Sequence, residues 1–464
     1  MDPTQPPGPQ SPPERRQPPT WGPPAGGPPP GTGGGRAGRV VAVLAATVAV
    51  ALAAIIVLRP GIPADPPAGS AAPRRPAATV PPDPGGEAVR LLARRAAAIV
   101  HRDRAAFLAT VDRRRAAYYR SQASLFTRLR TVPFSAFSYR LTDARDLATQ
   151  RLRRRYAPDR VYLPRVEARY RFSGQDASPV LARFFYTFVQ TRSGWRIGGQ
   201  GDARPAGRDD VEIWDAGPVR TMRTTRTLVV HHPGDEPLAG RLLQVAERAY
   251  GQVAAAWSAR WERKVVILVP HDEAEAERLV GARDLRQVAA VAASSVESGP
   301  VERVLGNRIV VNPSNVTAYN TLNLQILLTH EMTHVATRKL GDGVPLLLVE
   351  GFADYAALRP LSFPLAVTRP ALAGRVRAGR FDGTLPADRD FRGATAAVAY
   401  DEASSFCLWA AQTFGERRLR ELYRAFAGSS PPSGAELDRG FRRVLGVSRR
   451  AAEARWAAWV REQL

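Results

Sequence analysis

The longest charge-free apolar run in the chain, VVAVLAATVAVALAAIIVL over 40–58, follows Arg36 and Arg39 and is closed by Arg59. At a rise of about 1.5 Å per residue it nearly matches a hydrocarbon core about 30 Å thick. It predicts a single-pass transmembrane helix over 39–59, because the apolar part of a signal peptide is shorter and lies nearer the N-terminus. Residues 1–38 are dominated by Pro, Gly and Gln, cannot bury enough apolar surface to offset ordering, and read as a disordered tail. Residues 60–86 are Pro- and Ala-rich, a semi-extended linker. One early span ahead of a large folded mass predicts a cell-membrane protein with its N-terminus in the cytoplasm and its bulk outside.

From Glu87 the apolar positions take helical spacing, through Val89, Leu92, Ala96 and Val100, with Phe107 and Leu108 beyond. A second helix is expected over 116–129. Alternating segments follow in SAFSYRL, RVEARYRF, ARFFYTFVQ and SGWRIGG, which read as strands. Helices followed by a curved antiparallel sheet that ends in a Trp-containing strand resemble the nuclear transport factor 2-like fold. Over 87–203 that resemblance implies a small cone-shaped α+β domain, and fold analogy assigns it no function. Beyond Asp209, TRTLVVHHPG, KVVILVPHD and RIVVNPS read as strands, with a helix over 240–257 between the first two. The rest reads as mainly helical, with loops over 360–387 and 428–434. The expected fold class is therefore α+β: a transmembrane helix, a small α+β domain, and a mainly helical domain over 205–464 with a small sheet at its start.

Length and composition sharpen this only a little. A chain of 464 residues with 44% hydrophobic content can hold two folded units. The net charge of +23 comes almost wholly from Arg, since Lys occurs only at 264 and 339. These arginines are scattered rather than interleaved with aromatics, which fits codon bias and argues against a nucleic-acid partner. An anionic membrane surface suits the charge better. Cys407 is the sole cysteine, so an intrachain disulfide and a cysteine-cluster metal site are both excluded. Set among Phe406, Leu408 and Trp409, it reads as a small buried apolar side chain.

The candidate chemistry lies in NTLNLQILLTHEMTHVATRKLG, read as one helix capped by Asn320 or Thr321 and ended by Gly341. Leu324, Leu327, Leu328 and Val335 supply an apolar face. Residues four apart share a helix face, so His330 and His334 can direct two imidazoles at one metal. Glu331 is offset in angle, where a carboxylate can reach an activated water without being a ligand. The chain has only six histidines, so a chance occurrence of H-E-x-x-H is a poor explanation. A third histidine at position 340 is excluded because Leu occupies it. Asp342 and Glu350 remain as third-ligand candidates. Glu350 is favoured, on a second helix expected after Pro345, with Asp354 on the same face four residues later, placed to hold a ligating histidine by hydrogen bond.

HEMTH and VEGFADY together resemble the gluzincins, the peptidase MA-like group that includes the thermolysin-like and aminopeptidase N-like families. The resemblance spans roughly 225–427. It implies His330, His334 and Glu350 as ligands of Zn2+, Glu331 as general base, and Asp354 as the acid behind a ligand. It also implies Tyr400, in AYDEASSFCLWAA, as the residue that hydrogen-bonds the oxyanion. Leu347 stands where the aminopeptidase-like members often carry Trp. The G-A-M-E-N-type segment that holds a free amino terminus has no counterpart in VLGNRIVVNPS, so aminopeptidase specificity is not implied. The strand at 308–311 is instead expected to take an extended peptide by edge pairing. The expected function is a membrane-anchored zinc metallopeptidase acting on peptide or protein substrates. The rival is a tethered binding or scaffold protein with a structural or vestigial zinc site.

Overall fold

The computed structural model describes residues 83–204, 207–282, 284–297, 303–428 and 430–464. The chain opens with α1 (Pro84–Val100), α2 (Arg104–Ala109) and α3 (Ala116–Leu129), then β1 (Phe134–Asp143), α4 (Gln150–Tyr156), β2 (Val161–Tyr162), β3 (Arg165–Phe172), β4 (Val180–Phe184), β5 (Tyr186–Thr191) and β6 (Gly194–Gln200). After α5 (Ile213–Ala216) come β7 (Arg220–Arg223), β8 (Thr227–His231), α6 (Glu236–Ala256), β9 (Val265–Val269), α7 (Glu273–Val280), β10 (Ala290–Glu297) and β11 (Arg303–Val311). The remainder is helical: α8 (Pro313–Val316), α9 (Thr321–Thr337), α10 (Leu346–Leu358), α11 (Leu365–Thr368), α12 (Pro370–Arg377), α13 (Ala396–Phe414), α14 (Glu416–Arg424), α15 (Gly434–Leu445) and α16 (Arg449–Gln463).

One expectation is corrected at once. Among the described residues no helix is long and apolar enough to cross a membrane, so the described fold is α+β without a spanning helix. The run at 40–58 lies outside the described residues, as do the tail over 1–38 and most of the 60–86 linker. The longest described helix, α6, carries Arg241, Glu247 and Arg248, charges that suit a water-facing side rather than hydrocarbon. α1 begins at Pro84, ahead of the expected Glu87, because the Asp83 carboxylate accepts the Gly85 and Gly86 N–H groups. Its buried face also differs: Leu91, Leu92, Arg95 and Ile99 point inward, while Val89 and Val100 are exposed.

The expected single curved sheet is two three-stranded sheets, β1-β3-β4 and β2-β5-β6, each built of antiparallel pairs. ARFFYTFVQ breaks at Phe185, whose N–H is taken by the Asp209 carboxylate at 2.7 Å instead of by a neighbouring strand. The other sheet has the order β10-β11-β9-β8-β7, with β8, β9 and β11 parallel and β7 and β10 antiparallel at the two edges. The loop expected over 360–387 contains α11 and α12.

Side chains alternate across this five-stranded sheet, as the pleat requires. Val229, Ile267, Ala292 and Ile309 face a large core built with α6, α9, α10 and α13. Leu228, Val266, Val291 and Val310 face the opposite way, into a second core shared with Phe107, Phe126 and Phe172 of the N-terminal part. The sheet is thus covered on both faces, with the H-E-x-x-H helix on one and the N-terminal elements on the other.

Candidate metal centre

α9 starts where the Asn320 side chain accepts the Asn323 N–H at 2.9 Å. It passes into a short 3-10 turn over Arg338–Leu340 and stops at Gly341, whose φ of +87° and contact with the Gly428 carbonyl leave no room for a Cβ. Every residue from Ile326 to Thr337 is buried, so the helix runs through the core instead of presenting one apolar stripe. α10 follows from Pro345 and packs against both α9 and α13. Gly351 makes this possible, because a Cβ there would lie 2.4 Å from the Ala403 carbonyl oxygen on α13.

This packing brings His330, His334 and Glu350 together. One ligand atom from each lies within 4.8 Å of the others, and all three residues are buried. The two Nε2 atoms are 2.9 Å apart, and Glu350 Oε2 stands 3.4 and 3.5 Å from them. Asp354, one turn beyond Glu350, meets the far nitrogen of His330, with Nδ1 and Oδ1 2.7 Å apart. Asp342, the other third-ligand candidate, is held by Arg338 at 2.5 Å.

The electrostatics follow from burial and these contacts. Burial opposes a charge on His330, but the hydrogen bond and charge of Asp354, reinforced by Glu350, hold its pKa well above the ordinary imidazole value. Burial likewise opposes ionisation of Glu350, and the charge and hydrogen bonds of the two histidines outweigh it and lower its pKa. Glu331 is fully buried, and burial pushes its pKa up against the pull of both histidines. The Ala292 N–H of β10 points toward its carboxylate and favours the ionised form, and among the described residues no hydrogen bond of ordinary geometry reaches either oxygen. Tyr400 is half-buried, edge-on to Phe391 at 5.2 Å. Burial raises its pKa, and the nearby charges of Glu350, Asp354 and Glu331 raise it further. Tyr400 therefore sits within the field of the cluster, and the next residue, Asp401, caps α12 by accepting the Ala371 and Leu372 N–H groups.

The donor set fits a metal. Two imidazole nitrogens and a carboxylate oxygen converge on one point, and two nitrogens plus one oxygen is a ligand chemistry suited to zinc. Cys407 is fully buried, and burial raises its thiol pKa, so it is not poised as a nucleophile.

Sequence reasoning overlooked two features. β10 escaped notice because AVAASSVE has little contrast between alternate positions. Among the described residues it, and not the strand at 308–311, is the sheet edge on this side, since β11 is paired on both sides. The second is a buried pair between the residue after β8 and the first turn of α7: His232 Nε2 lies 2.9 Å from Glu275 Oε1, and its Nδ1 lies 2.7 Å from the Pro218 carbonyl. The His-His step at the end of a strand was its only trace in the sequence.

No family model matches the chain, and no curated protein matches it. Among solved structures it is similar to an M1 zinc metallopeptidase from Deinococcus radiodurans, at 14% identity over 71% of each chain with a TM-score of 0.31. So loose a superposition establishes neither fold nor activity, and the side-chain geometry stands on its own.

Proposed function

We propose that the chain is a zinc-dependent peptidase, with His330, His334 and Glu350 holding the metal and Glu331 acting as general base. The observation that carries this reading is the pairing of a buried three-donor cluster with an adjacent, fully buried carboxylate, Glu331, on the same helix. A structural zinc site commonly has four protein ligands, whereas three donors leave a position open for chemistry. Zinc bound there would supply Lewis acidity toward the scissile carbonyl and an acidified water.

The chain's own residues account for the remaining work. Glu331 removes the proton from the attacking water and returns it to the leaving amine; its upward-shifted pKa suits both halves of that task. Asp354 holds the His330 ring so that Nε2 faces the cluster. Tyr400 donates a hydrogen bond from its hydroxyl to the oxyanion, its raised pKa keeping the proton on the tyrosine. The sheet edge at β10 runs beside Glu331 and supports an extended substrate main chain paired antiparallel or parallel to it.

The test is Glu331→Gln against a peptide library read by mass spectrometry, with zinc content measured on the same samples. Zinc should remain at the wild-type level while hydrolysis falls by roughly 10²–10⁴. His334→Ala should lose both. Full turnover by Glu331→Gln would overturn the mechanism.

A further inference from the structure

On the far side of the five-stranded sheet from the histidines, a cleft of about 840 Å³ opens between β4 with the segment around 207–212 and the faces of β9, β10 and β11. That volume falls in the range of small-molecule pockets. Apolar side chains make up much of its interior: Val180, Phe185, Leu268 and Val310 are buried there, with Leu181 and Leu279 beside them. Its rim is basic. Arg165, Arg204, Arg208 and Arg278 line it, the last three exposed, and none has an ion pair with a described carboxylate. Deeper in, Arg308 is 6% exposed, held by Asp176 at 2.7 Å, and its Nε has no hydrogen-bond partner among the described residues.

The cleft's own acids cancel this charge only in part, since Glu277 and Asp209 keep their charge at pH 7 while Asp210 is paired and Glu212 is mostly neutral. Asp210 is taken by Arg183 at 3.2 Å. Glu277 is occupied by the Asp284 and Leu285 N–H groups at 2.6 and 3.2 Å. Asp209 accepts the Phe185 N–H, and burial raises its pKa to about 6. Glu212 accepts the Tyr170 hydroxyl at 2.8 Å, and burial raises its pKa to about 8, leaving it mostly neutral at pH 7. A basic rim over a largely apolar interior selects a ligand with an anionic head and an apolar body. A cation would meet the free arginines, and a bare anion would leave the interior unfilled.

We propose that this cleft binds a small anionic amphiphile, a phosphate or carboxylate on a compact apolar body. The occupant would also touch the strand nearest the metal centre. Ala292 of β10 packs toward α9, while its neighbours Ala293 and Ser295 line the cleft. Binding itself does not depend on the peptidase reading.

The test is isothermal titration calorimetry of the full chain with monomeric decyl phosphate, below its micelle concentration. A Kd on the order of 10 µM is expected. Inorganic phosphate should bind at least tenfold more weakly, and decyltrimethylammonium, with the same chain and the opposite charge, should not bind. The double variant Arg208→Glu/Arg278→Glu should lose at least tenfold in affinity with an unchanged melting temperature, because both side chains are exposed. Glu331→Gln and chelator-treated protein should bind like wild type, so a failed peptidase assay leaves this result standing. Equal binding by the double variant, or equal binding of the cationic amphiphile, overturns the proposal. So does capture by anionic phospholipid vesicles without binding of free decyl phosphate, which would point to the overall surface charge and not the cleft.

Discussion

Gly351→Ala is the most direct probe of how the metal centre is built. The added methyl would lie 2.4 Å from the Ala403 carbonyl oxygen, 2.7 Å from its carbon and 2.9 Å from Cys407 Sγ. Two of these are backbone atoms, which cannot swing aside as a flexible side chain would. α10 and α13 must then part by about 1 Å to restore ordinary van der Waals spacing. Alanine recovers up to about 1 kcal/mol of helix propensity, while overpacking of this kind costs about 1–3 kcal/mol, and the opened interface forfeits some dispersion energy besides. A net loss of roughly 1–2 kcal/mol is expected, a fall of about 1–3 °C in Tm for a chain of this size. Glu350 is the preceding residue, and its Oε2 stands only 3.4 Å from His330 Nε2, so the same shift should weaken zinc binding by roughly tenfold or more. Gly374 on α12 is the control: a Cβ there meets nothing within 4 Å, and Gly374→Ala should be neutral or stabilising by up to about 1 kcal/mol. Urea denaturation of both variants, with a chelator-competition titration for zinc, checks the pair. A Gly351→Ala protein with wild-type midpoint and wild-type zinc affinity would refute the reasoning.

Three other outcomes are expected. Asp354→Asn should lower zinc affinity about 10–100-fold when measured near pH 9, where proton competition for His330 is reduced; an unchanged affinity would remove Asp354 from its positioning role. Tyr400→Phe should cut kcat by roughly 10²–10³ with zinc content unchanged, and an unaltered kcat would exclude oxyanion stabilisation by its hydroxyl. Glu212 gives a pH signature away from the metal. Burial raises its pKa in the folded chain from 4.5 to about 8, so the folded state keeps a proton that the unfolded chain releases. Its contribution is full below about pH 4.5 and is lost as pH rises toward 8. Relative to wild type, Glu212→Gln should therefore gain stability between pH 5 and pH 8, by an amount on the order of a few kcal/mol. Parallel stability–pH curves for the two proteins would contradict this.

Much of the candidate centre is readable along the chain, because its spacing is local. His330 and His334 share a helix face by virtue of the helical repeat alone, and Glu350 and Asp354 do so in the same way on α10. Asn320 as the cap and Gly341 as the stop of the helix and its 3-10 turn are equally local, a matter of backbone hydrogen bonds and one positive φ. The choice between Glu350 and Asp342 was not local. It required Gly351 to admit α13 against α10, and Arg338 to hold Asp342 away from the histidines. The break at Phe185 depended on Asp209, twenty-four residues away, offering its N–H a better partner. β10 became the edge beside Glu331 by pairing as a hairpin with β11, whose other side is taken by β9, and its Ala- and Ser-rich sequence does not announce that pairing. The arginine-rimmed cleft belongs to the same category, since scattered arginines look alike in a sequence until packing gathers four of them around one cleft. Covalent geometry determines which side chains share a helix face within a few residues, and the sequence by itself determined that much. Which faces then meet is decided by how the whole chain buries its apolar surface, and only the tertiary structure decides it.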